Sequence, residues 1–248
     1  MAGLFAEDAV VRRVNAEPVL LLGGGRALLM QLAHPLVARG VAEHSDFRAD
    51  PFDRLRRTLD AVSTIVFGPE AAARRTAEAV RAVHARVVGD GYQADDPDLL
   101  LWVHATLVDT ALRVHARFIG PLRPHEAEAY YQESKLVADV LGLPTALQPP
   151  DLAAFRAYVR HMVGTLQVSD EARRLARGIL HPRVPWPAAP LAALGRELTV
   201  GLLPPPLRQG YGFTWDAPRK GALLLASQST RQVLSRTPGR LRRRPVRL

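Results

Sequence analysis

Eight prolines constrain this chain more than any other feature. Pro51, Pro69, Pro97, Pro121, Pro124, Pro144, Pro149 and Pro150 all stand in gaps between segments whose apolar residues recur every three or four positions. A proline ring collides with the preceding helical turn and brings no N–H, so it is tolerated at a helix start and excluded from a helix interior. Strand-like alternation is scarce. The spacing predicts an all-α fold, a single multi-helix domain, with helices over 8–22, 24–40, 51–67, 70–89, 96–119, 124–141, 150–167, 169–179, 188–202 and 216–236. From His181 to Pro206 the chain turns proline-rich, which predicts irregular chain wrapped over the helical body, with the last helix acting as a lid or an interface.

Composition narrows the chemistry. Apolar residues make up 48% of the chain and charged residues 23%, enough to bury a core and too apolar for general disorder. There is no cysteine, so disulfides, thiolate nucleophiles, zinc–thiolate sites, iron–sulfur clusters and covalently attached c-type haem are excluded. A metal must sit on His, Asp, Glu or Tyr. The opening residues, MAGLFAEDAVVRRVNAEPVLLL, lack the charged and apolar regions of a secretory signal, and no apolar run reaches the roughly 18 residues of a transmembrane helix. A cytoplasmic location is expected. Six of the nine excess positive charges are Arg236, Arg240, Arg242, Arg243, Arg244 and Arg247, so residues 1–235 read as one domain and 236–248 as an arginine-rich tail, predicted to be disordered. That tail alone predicts no specific nucleic-acid partner; a homodimer is left open.

Several familiar sites are missing. The run Gly23-Gly24-Gly25 lacks the third glycine and the preceding strand of a dinucleotide loop, and reads better as a helix start or a close helix contact. No P-loop, G-x-S-x-G, H-E-x-x-H or Glu-x-x-His pair occurs. What remains is histidine and arginine. Val80, Val83, His84 and Val87 share a helical face, as do Leu100, His104, Leu107, Val108, Ala111 and His115, so three histidines are expected to point inward. Each taken singly also fits a hydrogen-bonded core histidine. Ser45 or Asp46 can cap a short turn, and Asp50 reads as the N-cap of the helix that starts at Pro51. Arg54, Arg57 and Thr58 follow at i, i+3 and i+4 and form a cationic face, either solvated or a clamp for an anion or a propionate.

Four segments carry a resemblance: AHPLVARGVAEHSDF, DRLRRTLDAVSTIVFG, RAVHARVVGDGYQADDPDLLLWVHATLVDTAL and FIGPLRPHEAEAYYQESKLVADVLGLP, in order within residues 18–165. They resemble the family of latex-clearing rubber oxygenases and MpaB-type oxygenases. The resemblance implies a globin-like helical core and a b-type haem on a proximal histidine in an Arg-x-x-His-Ala pattern, which here is Arg81-Ala82-Val83-His84-Ala85. It therefore implies His84 as the metal ligand and Arg81 beside the cofactor. His44 and His104, in matching segments, are secondary cofactor-binding candidates. The family's Arg-x-x-Lys-Thr pattern corresponds to Arg54-Leu55-Arg56-Arg57-Thr58, with Arg57 in place of lysine, and Val88 stands where the pattern has arginine. Lysine can deprotonate and ligate iron, whereas arginine stays protonated, so an open distal position is expected. The reading that follows is a haem b-dependent oxidoreductase, oxygenase or peroxidase-like, using dioxygen or peroxide on a small apolar substrate, with Arg54, Arg57 and Thr58 as catalytic candidates. Rubber itself is not expected as substrate, since no export signal is read. The alternative is a non-catalytic helical protein that holds a lipid or other apolar ligand in the family pocket.

Overall fold

Side-chain caps and prolines delimit the helices much as the sequence predicts. The computed structural model describes residues 3–44, 51–182 and 184–239, with the backbone path alone for 51–55. Among these lie α1 (Val10–Asn15), α2 (Gly24–Leu32), α3 (Pro35–His44), α4 (Pro51–Phe67) and α5 (Glu70–His84), followed by β1 (Val88–Gly89) and β2 (Tyr92–Gln93). Then come α6 (Pro97–Phe118), α7 (Pro124–Val140), α8 (Leu152–Thr165), α9 (Asp170–Leu180), α10 (Ala189–Leu202), α11 (Pro205–Gly210) and α12 (Ala217–Arg236). The fold is all-α. Asp96, Asp151, Ser169 and Asp216 each accept a hydrogen bond from a first-turn N–H, at 2.8, 2.8, 3.1 and 3.0 Å, and so start α6, α8, α9 and α12. The proposed caps Ser45, Asp46 and Asp50 lie outside the described residues, as does the tail from Arg240 onward.

Two helices organise the core. α6, the longest at 22 residues, buries Leu99, Trp102, Ala105, Val108, Val114 and Phe118. All of α2 except Gly25 is buried against it and its neighbours. Carbonyls near the end of α2 find side-chain donors: Trp102 Nε1 donates to the Met30 carbonyl at 3.1 Å and the Tyr211 hydroxyl to the Leu29 carbonyl at 2.6 Å. The glycine run is close helix packing and no phosphate loop. A Cβ at Gly25 would collide with Thr199 of α10, and one at Gly23 with Thr110 and Val114 of α6.

Four boundaries differ from expectation. The predicted helix over 8–22 stops at Asn15, because Pro18 restarts the chain as a 3-10 turn over Pro18–Gly23. The helix predicted over 24–40 breaks before Pro35, with α3 bent 105° from the preceding helical run. The helix predicted over 70–89 ends at His84; Val88–Gly89 and Tyr92–Gln93 then form an antiparallel hairpin around Asp90-Gly91, with Gly91 at φ +76. Within the stretch read as irregular, Pro205–Gly210 is helical. Among the described residues no single helix is long and apolar enough to cross a membrane.

Candidate functional site

α4 and α5 are consecutive helices that pack together and are joined by Gly68 and Pro69. Arg54, Arg57 and Thr58 on α4 and His84 on α5 all lie toward the helix ends remote from that turn. The helical hairpin thus brings these residues to the same end of the α4–α5 pair. His84 closes α5 as its last residue, half-buried, with its Nδ1 shielded from solvent. The inward face of α5 is corrected by one step. Ala73 and Ala77 are buried, Val80 and His84 continue their stripe, and Val83 is 52% exposed and faces away. Thr58 is half-buried and Arg57 exposed; Arg54 keeps its place on α4, and its side chain lies outside the described residues. Arg81 is exposed, its stem against Gly142 at the end of α7, where a Cβ would stand 3.3 Å from Cδ. Gly142 has φ +102, a second reason for glycine at that contact.

The other histidines separate into distinct environments. His104 points its Nε2 into the protein, where no hydrogen-bond partner meets it, and burial pushes the imidazole down to about 4. Two residues apart on a helix means opposite sides, so His104 faces away from Trp102 and the α2 contact. His34, in the α2–α3 break, also has a shielded Nδ1 with no partner. Burial lowers its pKa despite the opposing pull of Asp96 and Asp98. His115 sets Nδ1 2.8 Å from the Gly120 carbonyl and closes the end of α6. His44 is exposed and stands edge-on to Tyr92 at 6.3 Å. Tyr92 itself is buried, pushed up to about 12 by burial and by Glu43, whose carboxylate accepts its hydroxyl proton at 2.6 Å. That bond docks the hairpin on α3.

One buried cation escaped the sequence reading. Arg26 is fully buried in α2. Its guanidinium donates to the Leu202 carbonyl at 2.9 Å, to Thr110 Oγ1 at 2.5 Å and to Asp109 Oδ2 at 2.5 Å, tying α2 to α6 and α10. Burial lowers its pKa and Asp109 opposes the shift. A glycine-flanked arginine gives no local sign of this role, since Asp109 lies 83 residues away.

Among the described residues no group of three or more His, Asp or Glu side chains converges as a metal site. A cavity of about 490 Å³, lined by Phe5, Glu7, Arg12, Phe67 and Pro69, opens at the turn end of the α4–α5 pair, away from His84.

The family model described as the catalytic domain of the ER-bound oxygenase mpaB/B' and rubber oxygenase matches residues 11–233. This chain belongs to that family. The MpaB and rubber-oxygenase domain therefore takes in the helical body from α1 nearly to the end of α12, well beyond the 18–165 covered by the sequence resemblance. The uncharacterized protein Rv2237 of Mycobacterium tuberculosis and the uncharacterized protein Mb2261 of Mycobacterium bovis are each 31% identical to it over 200 residues, covering 76% of this chain and 78% of theirs. No solved structure matches it.

Proposed function

We propose that this oxygenase-family domain is a haem b-dependent oxidoreductase, an oxygenase or peroxidase-like enzyme, acting on a small apolar substrate with dioxygen or peroxide. The observation that carries the reading is the position of His84: at the end of α5, with a shielded Nδ1, at the same end of the α4–α5 pair as Arg54, Arg57 and Thr58.

The donor set fits a haem better than a bare ion. An iron held by side chains alone needs several converging His, Asp or Glu residues, and none converge among the described ones. A porphyrin brings its own equatorial nitrogens and asks the protein for an axial imidazole, some cations for its propionates, and apolar walls. His84, whose Nδ1 is shielded from solvent, is the residue that would hold the haem iron through its imidazole. Arg81, one turn before His84 on α5, is a cation that would meet a propionate, and Arg54 is assigned to the same role by its place on α4. Bound haem supplies the redox chemistry toward dioxygen or peroxide.

The chain's own residues do the rest. Arg57, exposed on α4, would offer guanidinium hydrogen-bond donors beside the cofactor and is no metal ligand. Thr58, one position on and half-buried, offers a hydroxyl that both donates and accepts. His104 holds an unpaired, neutral nitrogen inside the protein, ready to accept from a polar group of a ligand.

The test is a titration of the purified protein with hemin, followed by absorbance. A Soret band that saturates is expected, with His84→Ala weakening or shifting it. A well-folded protein that ignores hemin contradicts the reading. Loss of the band in His104→Ala alone, with His84→Ala unaffected, moves the ligand to His104.

A further inference from the structure

The cavity at the turn end of the α4–α5 pair lies at the opposite end of those helices from His84. A second opening of about 480 Å³ adjoins it, and the two share Glu7, Arg12 and Phe67. Each is of the size that takes a small molecule. The walls come from segments far apart in sequence: the N-terminal arm from Gly3 to Asp8, the start of α1, and the end of α4 with the turn that follows it. An antiparallel bridge between Gly3 and Pro69 holds the arm on that turn. A Cβ at Gly3 would stand 2.9 Å from the Gly68 carbonyl oxygen, so the arm lies this close only with glycine there.

Arg12 lines both openings and is already set in place. Its Nη1 donates to the Val66 carbonyl at 3.2 Å, and its guanidinium lies over the Phe67 ring, 5.5 Å from the centroid. Neither contact neutralises it, and among the described residues no carboxylate pairs with it. Its neighbour Arg13 differs, with Nη2 donating to Glu126 at 2.6 Å. Glu7, which also lines both openings, and Asp8, which lines the second, are exposed and pair with no cation among the described residues. A fixed cation and two carboxylates without partners thus border one space, with Phe5 and Pro69 in its apolar wall.

A ligand of one charge fits this border poorly. An anion drawn to Arg12 meets Glu7 and Asp8, and a cation drawn to the carboxylates meets Arg12, whereas a molecule that carries both charges is attracted at each end. The planar guanidinium fork matches a carboxylate, and an exposed carboxylate matches an ammonium. We infer that the paired cavity binds a small zwitterion with an apolar body, an amino acid or a close analogue, with its carboxylate on Arg12, its ammonium on Glu7 and its side chain against Phe5 and Pro69. The inference is independent of the haem assignment.

Calorimetric titration of the full chain tests it, with phenylalanine as the zwitterion, hydrocinnamate as the same body with the carboxylate alone, and phenethylamine as that body with the ammonium alone. Phenylalanine is expected to bind saturably and each single-charge compound about tenfold more weakly or worse. Glu7→Gln changes an exposed side chain that holds nothing in the fold, and is expected to weaken phenylalanine by about tenfold while leaving hydrocinnamate no weaker. Arg12→Lys keeps the charge but loses the stacked fork, and is expected to weaken phenylalanine by about tenfold with the helical circular-dichroism spectrum intact. No saturable binding of phenylalanine overturns the proposal. So does phenylalanine binding that Glu7→Gln leaves unchanged. Hydrocinnamate that binds as tightly as phenylalanine makes the cavity a site for plain carboxylates and overturns it equally.

Discussion

Two buried polar regions of this protein are built in opposite ways. At the α2–α6–α10 junction every arm of Arg26 is paired, with the Leu202 carbonyl, Thr110 and Asp109. At His104 and His34 a ring nitrogen is shielded from water and left without a partner. A buried polar group with no bond costs about 1–3 kcal/mol, so a fold that satisfies one arginine so fully and leaves two imidazoles unpaired is treating them differently. The paired group holds helices together. The unpaired ones tie nothing together.

The largest effect is expected at the paired site. Arg26→Met leaves Asp109 charged and Thr110 without its donor, and is expected to lower the urea unfolding free energy by about 3–5 kcal/mol. Adding Asp109→Leu should recover a good part of that, because the stranded charge goes with it. Loss of under about 1 kcal/mol in the single variant shows that the junction is no anchor.

Arg57 gives the second-largest effect. Arg57→Ala is expected to preserve hemin binding while lowering turnover with oxygen or peroxide about a hundredfold, as for the loss of one donor aimed at developing charge. Arg57→Lys should, at alkaline pH, move the spectrum toward a low-spin form as the lysine deprotonates and reaches the metal. Hemin affinity that falls with Arg57→Ala places this residue in cofactor retention and out of turnover.

His104 titrates in a way that the unpaired region alone predicts. Its folded pKa, about 4, lies below that of an unfolded histidine. Between these values the unfolded chain binds a proton that the native state does not, so stability is full above about pH 6.5 and falls as pH drops toward 4. From pH 7 to pH 5 the wild type is expected to lose about 2 kcal/mol through this group, and His104→Phe to lose correspondingly less. Parallel curves for the two proteins mean that His104 is protonated in the native state as easily as in water.

The smallest effect belongs to the tail. Removing residues 237–248 is expected to change the unfolding free energy by under about 0.5 kcal/mol, because a run of arginines has no apolar face to bury. A larger loss shows that it packs on the helical body.

The two regions also differ in how far they could be read from the sequence. Helix periodicity and proline placement marked the bounds of α4, α6, α7, α9, α10 and α12 to within two residues, because both signals are local. His84 and Arg57 were singled out by family motifs alone, and the packing of α4 on α5 places their helix ends on the same side. The Val83 error lies in the phase of one face within α5, where the buried stripe runs through the alanines Ala73 and Ala77 to Val80 and His84; the overlong helix to 89 is a separate miss, for which the Asp90-Gly91 dipeptide was the available signal. Arg26 could not be read at all. Its partners come from α6 and α10, and an arginine after three glycines looks the same whether it is solvated or buried. The unpaired state of His104 and His34 is a property of packing too, visible only when every neighbour is in place.

Replacing His84 by glycine removes the proposed cofactor ligand and leaves a space the size of an imidazole. The variant is expected to keep the wild-type helical content, to lose the hemin absorbance of the wild type, and to regain it when free imidazole is added to fill the space the side chain left. A variant that binds hemin with the wild-type spectrum and ignores imidazole contradicts that role for His84.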